Sequence, residues 1–449
     1  MKGKSQFVCQ NCGAIYPKWM GQCNHCGEWN TLEEQIIEKN IKGRHGTINS
    51  ATGEQPVSLS TIKPETHQRV STNISELDRV LGGGLMPGSA ILIGGEPGIG
   101  KSTLLLQLIL KNHRWKSLYV AGEESLAQIK DRADRLGNIH ENCFITPQRQ
   151  VEEICQLIHN ETYDLVVIDS IQTVHSNQLE SIPGTISQIR ESAYQLINQA
   201  KSKNTPLVLV GHITKIGNIA GPKVLEHLVD TVLQFEGDSN SGLRILRTTK
   251  NRFGNTAEIG IFEMQNTGLV EITNPTEFLL TPHSEQFSGT AFALINEGLR
   301  PLVVEVQALV SNSGYSTPQR TSNGYDPKRL NMLLAVLEKR AGLKLSTRDV
   351  FVNVTGGLKV TDTAADMAIA AAIIGSYLDI AISSQTCFAG EIGLSGEIRP
   401  MRNLSSRIEE ANRLGFNYII TAPSKKINPQ FSYIPVNDIR NLVTLISKS

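Results

Sequence analysis

Short apolar runs alternate with helix-period segments over residues 69–272. The runs at 90–94, 117–121, 165–169 and 207–211 are apolar nearly throughout, which suits strands buried on both faces. Between them, 102–112, 125–136 and 186–202 carry apolar residues at helical spacing, so a parallel sheet with crossover helices is expected. After residue 229 the runs crowd together at 232–236, 243–248 and 258–264, predicting an antiparallel extension of that sheet. From about residue 285 the texture is α+β, with strands near 291–294, 302–310 and 350–354 and helices near 327–341 and 363–378. Residues 31–68 are polar, with a helix-like start at 33–39 and little periodicity afterwards, which reads as a linker. The expected division is thus 1–30, a linker over 31–68, an α/β domain over 69–284 and an α+β domain over 285–449.

A chain of 449 residues with 40% apolar content can build two or three ordinary cores. Its 43 basic and 43 acidic side chains balance, so net charge neither marks nor excludes a nucleic-acid partner. The longest apolar helical stretch, 367–378, is too short to cross a bilayer, and no apolar run follows the lysines near Met1. A cytoplasmic protein without a membrane partner is expected. Of seven cysteines, Cys143, Cys155 and Cys387 are scattered, as small buried hydrophobes would be, rather than as a disulfide framework.

The other four form two knuckles, Cys9-x2-Cys12 and Cys23-x2-Cys26, ten residues apart. Tetrahedral Zn²⁺ needs four soft donors, and each CxxC turn offers two thiolates. Four thiolates would close the coordination shell, making the metal a structural staple. So small a module lacks a core of its own, so metal binding would supply its folding energy. His25 reads as a bystander, and Trp19 and Trp29 are expected to pack around the site, with a contact surface as the alternative.

Gly95-Glu96-Pro97-Gly98-Ile99-Gly100-Lys101-Ser102 fits G-x4-G-K-[ST] between a strand and the helix that begins with Thr103. Backbone N–H groups of such a turn face phosphates at a helix N-terminus. Lys101 adds charge at the β- and γ-phosphates of ATP, and Ser102 ligates Mg²⁺. Asp169, at the end of the run 165–169, is placed to complete the Mg²⁺ shell. Glu123 and Glu124 end the 117–121 run; Glu123 is the candidate general base and Glu124 the alternative, which could instead simply open the next helix.

With these motifs, the chain resembles the bacterial RadA (Sms) DNA-repair family of RecA-superfamily ATPases, which have hexameric-helicase character. The resemblance covers essentially the whole length. It rests on the four-cysteine finger, on Leu77-Asp78-Arg79-Val80-Leu81-Gly82-Gly83-Gly84-Leu85, and on Lys250-Asn251-Arg252-Phe253-Gly254. It implies a RecA-like core and a DNA-dependent ATPase that extends branch migration. The implied partners are single-stranded and branched DNA and a RecA recombinase, and the implied assembly is a homo-hexamer. Lys250 and Arg252, expected just past the strand 243–248 with no acidic neighbour, suit a γ-phosphate held by an adjacent subunit. His212 resembles the family's polar sensor. Lys215 and Lys223 flank a glycine-containing segment that could meet a DNA backbone, and 176–187 is a second candidate mobile loop.

From about residue 291 the chain resembles the Lon-protease C-terminal fold. The resemblance puts Ala364 at the nucleophile position and Ser405 at the base position, so no peptidase activity is expected. Arg399, Arg402, Arg407 and Lys425-Lys426 are read first as a solvated face, with a basic surface for DNA or subunit contacts as the alternative.

Overall fold

The computed structural model describes residues 4–9, 14–29, 31–37, 68–212, 223–237, 242–274, 276, 287–314, 317–424 and 433–448. By packing they form two units. Thr248–Thr256 and Asn266–Leu269 belong with the N-terminal one, and Gly237–Arg247 and Ala257–Gln265 with the C-terminal one. The division thus interleaves upstream of the boundary read from texture. Among the described residues no helix is long and apolar enough to cross a membrane.

The chain opens with a small antiparallel sheet of β1 (Lys4–Cys9), β2 (Ile15–Tyr16) and β3 (Leu32–Ile37), ordered β2-β1-β3. Where a helix was expected at 33–39, residues 33–37 belong to a strand, and 38–39 lie outside the described residues. Residues 32–37 pair with β1 from Cys9↔Leu32 to Lys4↔Ile37, and a full ladder outweighs the weak helical propensity of a short polar stretch.

After α1 (Ser75–Leu81) the ATPase core follows the expected alternation: β4 (Ala90–Gly95), α2 (Lys101–Lys111), β5 (Ser117–Ala121), α3 (Leu126–Leu136), β6 (Cys143–Thr146), α4 (Val151–Asn160), β7 (Leu165–Asp169), α5 (Ile186–Ser202), β8 (Leu207–His212), α6 (Lys223–Leu228) and β9 (Thr231–Gly237). These strands lie in the order β9-β4-β8-β7-β5-β6, with β4 parallel to both β8 and β9. Every residue of β4 is buried, as a strand covered on both faces requires. Ser125 caps α3 in a reciprocal box with Gln128. β6 is half-exposed at the edge and too mixed in character for the apolar-run reading to reveal. The antiparallel part begins later than expected, with β10 (Leu243–Asn251) and β11 (Ile259–Gln265), followed by β12 (Gly268–Glu271).

The C-terminal unit adds β13 (Thr290–Glu297), β14 (Arg300–Asn312), β15 (Arg320–Asn323), α7 (Pro327–Ala341), β16 (Arg348–Val354), α8 (Asp366–Leu378), β17 (Thr386–Ala389), the short pair β18 (Glu391–Ile392) and β19 (Ile398–Arg399), α9 (Leu404–Arg413), β20 (Tyr418–Thr421), β21 (Ile434–Pro435) and α10 (Ile439–Ile446). Its mixed sheet runs β15-β16-β14-β13-β17-β20-β21. Asp326 caps α7 ahead of Pro327, and Gly342 ends it in the left-handed region that a Cβ would strain. α8 is buried from Asp366 to Gly375, which explains its near-continuous apolar sequence.

Asp366, fully buried, is the polar exception. It accepts from the Tyr325 hydroxyl at 2.6 Å, the Ile392 amide at 3.1 Å and the Arg329 guanidinium. Arg407 is likewise buried, bound to Asp362 at 2.6 Å and to the Leu294 carbonyl at 3.1 Å. Arg399 pairs with Glu391 and Glu397. Of the residues read as a solvated face or a basic surface, Arg407 is thus neither solvated nor free, Arg399 is exposed but paired with carboxylates, and Lys425-Lys426 lie outside the described residues. Asp366→Ala would leave Arg329 and Tyr325 without their shared acceptor at a cost of about 3–5 kcal/mol. Chemical denaturation should show the C-terminal unit unfolding at markedly lower denaturant, while the nucleotide-binding unit keeps its own transition.

Candidate functional site

The glycine-rich turn leaves the C-terminal end of β4 and enters α2 through Gly100, whose φ of 118° only glycine adopts without strain. The Lys101 ammonium curls back onto the carbonyls of Gly95 (2.8 Å) and Glu96 (2.9 Å). Burial lowers its pKa from the ordinary lysine value, against the pull of Asp169 and Glu123.

A small cleft beside the loop is lined by Ser102, Tyr119, Ala121, Glu123, Glu124 and Asp169. β5 and β7 bring the acids together through the register Ala121↔Asp169 and a Gly122 N–H donated to the Asp169 carbonyl at 2.7 Å. A Cβ at Gly122 would fall 1.7 Å from the Thr173 hydroxyl, so the turn tolerates only glycine. The Ser170 hydroxyl donates to Glu123. Glu124 pairs instead with Arg132 at 2.5 Å. The Tyr119 hydroxyl donates to Asp169, and burial, then that carboxylate, raises the phenol well above its ordinary pKa. The hydroxyl of Ser102 and the carboxylate of Asp169 are hard oxygen donors on one cleft, a set that fits Mg²⁺. The backbone of His212 pairs beside Gly95, at the root of the loop.

At the other end of β4 lies a second polar cluster. Asp230, 3% exposed, accepts from the Ala90 amide at 3.0 Å, from Lys201 at 3.2 Å and from Arg252 at 3.2 Å. Lys250 donates to the carbonyls of Glu226 (2.5 Å) and Val229 (2.7 Å), and its pKa is lowered by burial and then by Arg252. Two expectations are corrected here. Lys250 lies within β10 rather than beyond it, because the strand runs on to Asn251. Arg252 also has an acidic neighbour, Asp230, far from it in sequence but adjacent once β9 and β10 are laid together. Arg69 ties the glycine-rich 82–84 turn to this region, donating to the carbonyls of Leu81 (2.7 Å), Gly84 (3.2 Å) and Phe253. The two sequence signatures, 77–85 and 250–254, are thus one local structure.

In the N-terminal sheet the thiols of Cys9, Cys23 and Cys26 lie within 4.8 Å of one another, with Cys9 and Cys26 sulfurs 3.7 Å apart. Tetrahedral zinc at about 2.3 Å from each sulfur requires sulfurs roughly 3.8 Å apart, so the group fits that metal. Cys12 lies outside the described residues. Trp19 (56% exposed) and Trp29 (67% exposed) do not pack around the site as expected but face outward beside Gly21. Of the scattered cysteines Cys387 is buried, with its thiol pushed up to about 12, while Cys143 and Cys155 are half-buried.

Lys215 lies outside the described residues, and Lys223 opens α6. Within 176–187, the Gln188 amide bonds Ser176, Leu179 and Ser181, tying that loop to α5. Ala364 is buried beside α8, and Ser405 sits in the first turn of α9. Tyr119, Asp230, Arg69 and Arg132 were not singled out from sequence, and Ser170 was read only as the neighbour of Asp169, not as the partner of Glu123. The signal that could have found Tyr119 and Ser170 is their place in β5 and β7, two parallel strands ending in acids.

Three family models match parts of the chain. One described as a rubredoxin metal binding domain matches residues 7–34, an AAA domain model matches 56–218, and a model of subunit ChlI of Mg-chelatase matches 329–425. The DNA repair protein RadA of Bacillus subtilis is 45% identical over 93% of this chain and 92% of its own length. That of Rickettsia typhi is 47% identical over 98% and 99%, and that of Listeria monocytogenes 44% over 95% and 94%. With a zinc ribbon, a RecA-like ATPase core and a Lon-protease-like C-terminal domain in that order, the chain belongs to the RadA family of DNA repair proteins.

Proposed function

We propose that the protein is a ring-forming, DNA-dependent ATPase whose turnover moves it along single-stranded DNA and drives branch migration at recombination intermediates. The observation that carries the reading is the placement of Lys250 and Arg252 at the start of β4 while the phosphate loop leaves its end. The strand's six residues separate the two by roughly 17 Å, more than an arginine side chain spans. Within one chain the cations do not reach the nucleotide, so their use in phosphoryl transfer requires a neighbouring subunit. A closed ring, most simply a hexamer, supplies one at every interface.

In this reading Lys101 and the 95–103 backbone bind the phosphates, and Ser102 and Asp169 would hold Mg²⁺, which would supply charge neutralisation for the phosphates. Glu123 takes the proton of the attacking water, and Ser170 orients it; Glu124 is committed to Arg132. The backbone pairing of His212 with Gly95 favours its role as the sensor between phosphate and DNA, with Lys215 and Lys223 as candidate DNA contacts. Four cysteines, Cys9, Cys12, Cys23 and Cys26, would hold one structural Zn²⁺. A RecA recombinase is the functional partner proposed from the family.

Lys101→Ala should abolish ATP turnover with the fold retained, as read by a coupled ATPase assay and circular dichroism; normal turnover would remove the phosphate-site reading. Metal analysis should find about one zinc per chain, and replacing Cys9 and Cys12 should release it while nucleotide binding persists; a zinc-free wild-type protein with an ordered ribbon would refute the staple. Arg252→Ala should bind nucleotide but lose about 10³-fold or more in DNA-stimulated turnover. Mixing Arg252→Ala with Lys101→Ala subunits should restore partial activity, and its absence in rings shown to be mixed would place Arg252 in another role.

A further inference from the structure

We propose that Tyr119 is the positioning residue for the metal-binding acid: its phenol holds Oδ2 of Asp169 and so presents Oδ1 to the Mg²⁺ site. The proposal rests on the reading of Asp169 as part of the Mg²⁺ shell.

The geometry follows from the sheet. Tyr119 pairs with Val167 in the β5–β7 register, so Asp169 is its diagonal neighbour two residues further along, on the same face. Diagonal neighbours in a sheet are within reach of an aromatic side chain, and here the hydroxyl arrives at the carboxylate. Tyr119 is only 2% exposed. Its ring fills the core as phenylalanine would, but a hydroxyl buried without a partner is destabilising. The choice of tyrosine at this position is therefore accounted for by its bond to Asp169.

The bond also constrains the acid. An aspartate at a strand tip can rotate about two side-chain torsions, and a bond to one oxygen selects a single orientation. The Asp169 carbonyl is already held by Gly122 N–H, so β5 fixes both the backbone and one carboxylate oxygen of the residue. Ser170, the next residue of the same chain end, holds Glu123 in turn. The two strands thus exchange partners across the cleft that Ser102 and Tyr119 also line. Outer-sphere partners of this kind tune metal affinity by fixing the orientation of a ligand.

The test uses the full-length protein with Tyr119→Phe, Asp169→Asn and the double variant. Mn²⁺ binding in the presence of ADP is read by electron paramagnetic resonance, and ADP affinity is measured with Mg²⁺ and with EDTA. Tyr119→Phe should weaken Mn²⁺ about tenfold while leaving metal-free ADP affinity and the thermal transition unchanged. In the Asp169→Asn background the same substitution should change nothing further. Wild-type Mn²⁺ affinity in Tyr119→Phe would overturn the proposal, as would an equal loss of ADP affinity with and without metal, which marks a packing role. An undiminished effect in the Asp169→Asn background would overturn it too. If Asp169→Asn alone left Mn²⁺ affinity intact, the Mg²⁺ reading of Asp169 would fail first and take the proposal with it.

Discussion

The Ala90 amide donates to the buried carboxylate of Asp230, and this contact fixes the start of the strand on which both ends of the ATPase unit are built. β4 is covered on both faces and paired in parallel on both edges, so it cannot shift without breaking two ladders. A phosphate loop leaves one end of it. At the other end Asp230 collects Lys201 and Arg252 around the same carboxylate. The backbone donor and the two cations share the buried carboxylate, so Asp230 keeps partners when any one of them is removed. The strand and the signature turn are therefore positioned together.

The cleft beside the phosphate loop follows a similar logic with hydroxyls. Tyr119 and Ser170 bring donors to Asp169 and Glu123, and Arg132 takes Glu124. Adjacent acids on one turn are thereby given different environments, which is how a fold separates the roles of like groups. Both glutamates line the cleft with Ser102 and Asp169, and they differ in partner: the Ser170 hydroxyl bonds Glu123, and Arg132 of α3 pairs with Glu124.

In the C-terminal unit, charge serves packing. Asp366 joins α8 to Arg329 of α7 and to the β18 amide, and Asp362 holds Arg407 in the interior. Arginines that look like a basic patch when read in a row are, in part, the counter-ions of buried acids. Nearness in sequence says little about shared exposure, since α9 turns Arg407 inward while Arg402 precedes the helix.

The sequence by itself determined the strand–helix alternation, since fully buried parallel strands must be apolar throughout and crossover helices must be amphipathic. It determined the phosphate loop and the paired cysteines too, because their chemistry depends on spacing within a few residues. The helices at 186–202 and 327–341 were legible to the residue, each having clear periodicity and end signals. Tertiary structure decided whatever depended on pairing across the chain. It made 32–37 a strand, because β1 offers a complete ladder, and it extended β10 through Lys250. It set Asp230 against Arg252, Tyr119 against Asp169 and Asp362 against Arg407, contacts 22, 50 and 45 residues apart in sequence. It also turned Trp19 and Trp29 outward. Local spacing carries no record of such partners, because register and packing create them only when the sheet assembles.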